Sequence, residues 1–226
     1  MFVHEWMTRN PQTVKRTTPV MEAMQMLREG GYRRLPVVDG ARLVGIVTDR
    51  DLKDATPSKA STLSVYELNY LLSKLAVKEV MRSPVISVGP DDPVERAALL
   101  METHKISGLP VVDGDELKGI ITITDMLRAF VAMLGLREGG TRVTVNLPDA
   151  PGVLAQVAKA AAPSNIIAAV TAGVQQGQRR ELVVRVVGEG ASDYPERLRE
   201  GDLDVVDVRH DDAQEGAQEG TDGSSG

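Results

Sequence analysis

A chain of 226 residues has room for one large domain or two to three small ones, and 42% hydrophobic with 26% charged residues is ordinary for a globular protein. Cysteine is absent and aromatic residues make up 3%, which excludes disulfides, thiolate metal sites and a cysteine nucleophile, and argues against base-stacking platforms for single-stranded nucleic acid. Of the net charge of −6, five units come from Asp211, Asp212, Glu215, Glu219 and Asp222; the remaining −1 lacks the basic excess of a duplex-binding or acidic-membrane surface, so neither partner is expected.

The first residues show no basic-then-apolar leader. The longest apolar stretch, around Gly119–Leu136, is interrupted by Asp125 and Arg128, so a cytoplasmic location is expected. Thr13–Lys15 is predicted as a short strand. Pro19 then opens a helix at its first position, Met21, Met24 and Leu27 keep helical spacing, and Gly30-Gly31 stops it. The methionines Met21, Met24 and Met26 are taken as flexible packing. Leu35–Val38 and Arg42–Thr48 are apolar runs joined around Asp39-Gly40, a hairpin signal, and a helix follows from Asp49.

Ala55–Thr62 has the composition of a linker. Ser64-Val65-Tyr66-Glu67 has the form of a capping box, and Val65, Leu68, Leu72 and Leu75 share one face of the helix it would open. The first pattern then returns 74 residues on. Leu35-Pro36-Val37-Val38-Asp39-Gly40 reappears as Leu109-Pro110-Val111-Val112-Asp113-Gly114, and Gly45–Asp51 as Gly119–Asp125, without a gap. Met7, Val14, Pro19 and Ala23 match Met81, Val88, Pro93 and Ala97. The second copy is therefore predicted as strand Val85–Val88, a helix from Pro93, a hairpin around Asp113-Gly114, and a helix from Ile123 to about Leu134. Such a duplication implies two structural units that stack to share a core.

Beyond Arg137-Glu138-Gly139-Gly140, read as a hinge, the pattern changes. Strand Arg142–Leu147, a sharp Pro148–Gly152 connection, helix Val153–Ala162, strands Ile166–Val174 and Arg179–Val187, helix Tyr194–Glu200 and strand Leu203–Arg209 give the order β-α-β-β-α-β, which is ferredoxin-like. The fold class is α+β. The domains expected are residues 1–66 (first repeat with linker), 67–136 (inserted helix and second repeat), 141–210 (ferredoxin-like unit) and 211–226 (an acidic tail too polar to bury a core).

The duplicated Gly-h-h-Thr-x-x-Asp segment holds the candidate chemistry. Alone, Thr48 with Asp51 and Thr122 with Asp125 read as helix capping boxes. In context both copies resemble a CBS domain, and the tandem resembles a Bateman module, whose repeats pack about a pseudo-twofold axis and leave two clefts. That resemblance implies a phosphate contact at Thr48 and Thr122 and a ribose contact at Asp51 and Asp125. A threonine hydroxyl and free helix-start N–H groups suit an anion, and a carboxylate suits vicinal hydroxyls. Arg33 and Arg34 could reach a phosphate, whereas their equivalents are Ser107 and Gly108, so the cleft of Thr48 and Asp51 is expected to favour a charged nucleotide.

Asp149-Ala150-Pro151-Gly152-Val153-Leu154, read structurally, is a tight strand-to-helix turn. With the β-α-β-β-α-β order it resembles an ACT domain, a module often controlled by amino acids, which implies ligand contacts at Asp149, Gly152 and Asn165. The whole chain resembles the acetoin-utilisation (AcuB-like) CBS–ACT proteins. The resemblance implies a non-catalytic sensor that needs no cofactor and takes an adenine nucleotide (AMP, ADP, ATP or S-adenosylmethionine) as regulatory ligand, with an amino acid at the ACT unit. A homodimer and a metabolic enzyme partner are the other implied associations. Two alternatives stay open: an assembly module without ligand, and an enzyme with an unrecognised site. His4, His104 and His210 are scattered without acidic or histidine neighbours at ligand spacing, so no metal site is expected.

Overall fold

The computed structural model describes residues 1–55, 74–176 and 179–213. The capping box at residues 64–67, its apolar face apart from Leu75, most of the linker, the turn at 177–178 and the tail beyond 213 lie outside the described residues. The chain divides into two compact units, Met1–Leu127 and Arg128 onward. This division precedes the glycine pair at 139–140, because Leu134 and Leu136 lie against the sheet of the second unit.

In the first unit each repeat places a helix against a hairpin. The first contains α1 (Val3–Trp6), β1 (Thr8–Arg9), β2 (Val14–Lys15), α2 (Val20–Glu29), β3 (Arg34–Asp39), β4 (Arg42–Thr48) and α3 (Asp49–Asp54). The second contains α4 (Val94–His104), β5 (Gly108–Asp113), β6 (Glu116–Thr122) and α5 (Ile123–Met133). α1 and β1 have no counterpart in the sequence reading: four and two residues are too short to show a period. The strand expected at Val85–Val88 is reduced to one parallel bridge, Val88↔Val111, equivalent to Val14↔Val37 between β2 and β3. Pro19 and Pro93 stand at the N-caps of α2 and α4, one position earlier than expected.

The hairpins turn where Gly40 and Gly114 take φ of +62° and +58°, a region costly for residues with a Cβ. Their strands pair in equivalent registers, Val37↔Gly45 and Val111↔Gly119, each followed by the same irregularity. Gly45 and Gly119 lie under the sulfurs of Met81 and Met7, so the matched methionines and glycines of the sequence are one contact made twice. Two aliphatic clusters result, one around Leu35, Val37 and Val47, the other around Leu109, Val111 and Ile121. Leu75 packs on the first.

The second unit continues with β7 (Gly140–Pro148), α6 (Val153–Ala161), β8 (Asn165–Gln176), β9 (Arg179–Val187), α7 (Tyr194–Glu200) and β10 (Asp204–Asp211). Its antiparallel sheet has the order β10-β7-β9-β8, the ferredoxin-like arrangement expected. Val143, Val145, Leu182, Val184 and Val186 meet α6 and α7 in one core. Arg197 fastens the end of α6, donating to the carbonyls of Ala160 and Ala161. Asp211, assigned by composition to the disordered tail, is instead the last residue of β10: it pairs with Gly140, and its carboxylate accepts a hydrogen bond at 2.8 Å from the buried Arg185.

Candidate functional site

The capping box read from Thr-x-x-Asp is complete in the first repeat, and the second repeats its threonine-to-aspartate bonds. Thr48 donates from its backbone N–H (3.0 Å) and its hydroxyl (2.5 Å) to Asp51 Oδ2, and Asp51 N–H donates back to Thr48 Oγ1 at 3.2 Å. Thr122 makes the equivalent donations to Asp125 Oδ2 at 2.8 and 2.7 Å. Asp125 is 3% exposed, and the second oxygen of Asp51 is held by Arg82 at 2.7–2.8 Å. Burial alone would raise the Asp51 carboxyl, but hydrogen bonds from Arg82 and Thr48 outweigh it and hold it below the usual carboxylate value.

The threonines do face open space. Thr48 borders a cavity of about 640 Å³ and Thr122 one of about 470 Å³, both within the range of small-molecule sites. The Thr48 cleft has a basic wall of Arg33, Arg34, Arg50, Arg82 and Lys105, with Asp49 as its acid, and an apolar wall of Ile46, Val85 and Ile86. The Thr122 cleft shares Arg33 and Arg34, and its other polar lining is neutral: Thr8, Asn10, Gln12, Tyr32, Ser107 and Thr124. The two arginines were expected to serve one cleft; the structure puts them in the lining of both. The charge difference comes from elsewhere. At the 74-residue spacing Arg50 stands where the other cleft has Thr124, Arg82 where it has Thr8, and Lys105 where it has Gly31. The repeat alignment held that signal, but two of these three pairs, Arg82 with Thr8 and Lys105 with Gly31, lie outside the matching motif.

Lys105 is held at φ +53°, ψ +42°, the left-handed conformation that its counterpart Gly31 adopts freely at φ +63°. Arg34 crosses to the other repeat. It donates to the carbonyl of Gly108 at 2.7 Å and to the hydroxyl of Ser107. Burial, then the neighbouring charge of Arg33, lowers its pKa. Gly108 makes the crossing possible, since a Cβ there would stand 2.8 Å from the guanidinium nitrogen of Arg34.

The three residues that the ACT resemblance implies are not brought together. Gly152, at φ +87°, caps α6 just after β7, at the sheet end where Pro148 pairs with Arg179. Asn165 pairs with Val187, at the other end of β9 and about 27 Å away along an extended strand. Asp149 lies near Gly152, in an ion pair with Arg180 at 3.1 Å. A single amino acid cannot touch all three within one chain. Among the described residues no group of three or more His, Cys, Asp or Glu could share a metal ion, and no helix is long and apolar enough to cross a membrane.

Comparison with known proteins agrees with this geometry. The CBS domain model matches residues 3–58 and 77–132, and the TTHA0829-like ACT domain model matches 139–209. A CBS domain-containing protein of Dictyostelium discoideum is 32% identical over 136 residues, covering 59% of this chain and 94% of that protein. A crystal structure from Vibrio cholerae, provisionally named for acetoin utilization (AcuB), superposes with a TM-score of 0.51 at 35% identity, covering 61% of this chain and 96% of that one. Other curated relatives are longer: the chain spans 46% of uncharacterized protein MJ1225 and 23% of L-aspartate semialdehyde sulfurtransferase, both from Methanocaldococcus jannaschii.

Proposed function

This chain belongs to the CBS-domain proteins, joining a CBS pair to an ACT domain, and from that premise we propose that it is a regulatory protein whose CBS pair binds an adenine nucleotide. The observation that carries the reading is the pair of cavities bordered by the duplicated threonines, one with a strongly basic wall. In it, the phosphate of AMP, ADP or ATP, or the corresponding end of S-adenosylmethionine, enters the cleft beside its threonine. Asp51 and Asp125 act through the threonines they hold. The Thr48 hydroxyl already donates to Asp51, so a phosphate accepts from it only if that proton turns away from the carboxylate. Arg50, Arg82 and Lys105 favour the more highly charged nucleotides on the Thr48 side. Occupancy changes the packing of the repeats and so the protein's hold on a metabolic enzyme, acetoin metabolism being the setting suggested by the Vibrio likeness. A ligand can shift such an equilibrium only by its differential affinity for the two states.

Thermal-shift screening with AMP, ADP, ATP and S-adenosylmethionine tests the reading. A ligand at 100 times its dissociation constant stabilises by about 2.7 kcal/mol, and silence across the set rejects nucleotide binding. A second reading, a pairing module without ligand, draws on large apolar side chains left exposed: Leu99 at 62%, Leu127 at 60% and Phe130 at 55%. It is favoured if the screen is silent and the chain sediments as a dimer.

A further inference from the structure

The nucleotide reading leaves open whether the two clefts fill independently. Arg34 lines both cavities and sits on the line where the repeats meet. By the 74-residue spacing its equivalent is Gly108, and it is the Gly108 carbonyl that accepts from its Nη1. Its Nη2 donates to Ser107, the equivalent of Arg33, which also borders both cavities. The pair thus holds one guanidinium at the position where strict symmetry would place two. The partners that hold it there are a neutral carbonyl and a neutral hydroxyl. A phosphate offers a charged acceptor, with hydrogen bonds roughly twice as strong, so an anion on either side draws the fork toward itself.

We propose, resting on the nucleotide reading above, that Arg34 is a shared anion-binding residue of both CBS clefts, so that a phosphate-bearing ligand in one weakens binding of a second such ligand in the other. One anion takes the guanidinium; the next finds the same cleft without it, with its neighbour already negative. The coupling acts on charge. Two phosphate-bearing ligands compete for Arg34, whereas a neutral nucleoside such as adenosine makes no claim on it. The Thr122 cleft, with neutral polar side chains besides Arg33 and Arg34, then takes an uncharged nucleoside-like ligand while the Thr48 cleft holds a nucleotide.

The test is calorimetric titration of the full chain with AMP and with adenosine. Arg50→Glu and Thr124→Glu, exposed equivalents in the two clefts, close one cleft each to anions by placing a carboxylate in its wall. Arg34→Met removes the charge and keeps the aliphatic stem. In each single-cleft variant, Arg34→Met is expected to weaken AMP about tenfold, since both clefts use the same group, the size of one good charge-assisted contact. In the chain with both clefts open it weakens the first AMP step by the same factor and leaves the second unchanged, because the second AMP never had the arginine. Adenosine affinity changes by no more than about twofold when Arg34→Met is added to any of these forms, and melting temperatures confirm that the variants fold. Loss of AMP affinity in only one cleft, equal losses in both steps, or a parallel loss for adenosine overturns the shared role. No AMP heat in any form of the protein overturns the nucleotide reading itself, a different result from any of these.

Discussion

Lys105 carries backbone strain that its counterpart Gly31 avoids, and strain of this kind persists where the surroundings hold it for a purpose. Here it places a lysine in the lining of the basic cleft. Lys105→Gly is therefore expected to raise the melting temperature, with relief of up to about 1 kcal/mol, while weakening AMP at the Thr48 cleft. Thermal denaturation and calorimetry on one variant check both signs, and a loss of stability rejects strain at this position. The sequence does not single out Lys105, because its conformation is set by the chain reversal between α4 and β5. Thr48, Asp51, Thr122 and Asp125 were visible because their spacing is local. Their capping bonds followed from it, but the turning of Asp51 toward Arg82, 31 residues away, is tertiary and left no local trace.

The two hairpins repeat one contact with different tolerances. A Cβ on Gly45 would meet the flexible thioether of Met81 at 2.5 Å and the Arg82 carbonyl at 3.3 Å. On Gly119 it would meet the Met7 thioether at 2.6 Å and, unlike at Gly45, a backbone atom closer than 3 Å, the Thr8 carbonyl at 2.8 Å. A methionine end can swing aside; a strand-paired carbonyl cannot. Gly119→Ala is expected to cost about 1–3 kcal/mol by denaturant melting and Gly45→Ala clearly less, the range for inserting a methyl group into a filled space. Equal costs would mean that β1 moves as freely as a side chain. Hairpins, amphipathic helices and the ferredoxin-like order were all legible, since each rests on a turn signal or a period. The first strand expected of the second repeat was not: Val85–Val88 has strand composition, yet only Val88 finds a partner.

The first unit holds two aliphatic clusters and the second a separate one, so each has its own source of stability. Calorimetric melting is expected to show two transitions, with saturating AMP raising the one that belongs to Met1–Leu127. A single transition raised as a whole would show that the units unfold together. The duplication made the architecture of the first unit readable at once, and the second was readable from element order. One feature of the second unit bears on how it yields to force. Gly140 opens β7 and Asp211 closes β10, and the two are cross-strand partners at the same end of the sheet. Tension applied between the junction and the C-terminal tail therefore loads this ladder as a zipper rather than in shear, parting hydrogen-bonded pairs in succession, with the Asp211–Arg185 ion pair as the catch that must open first.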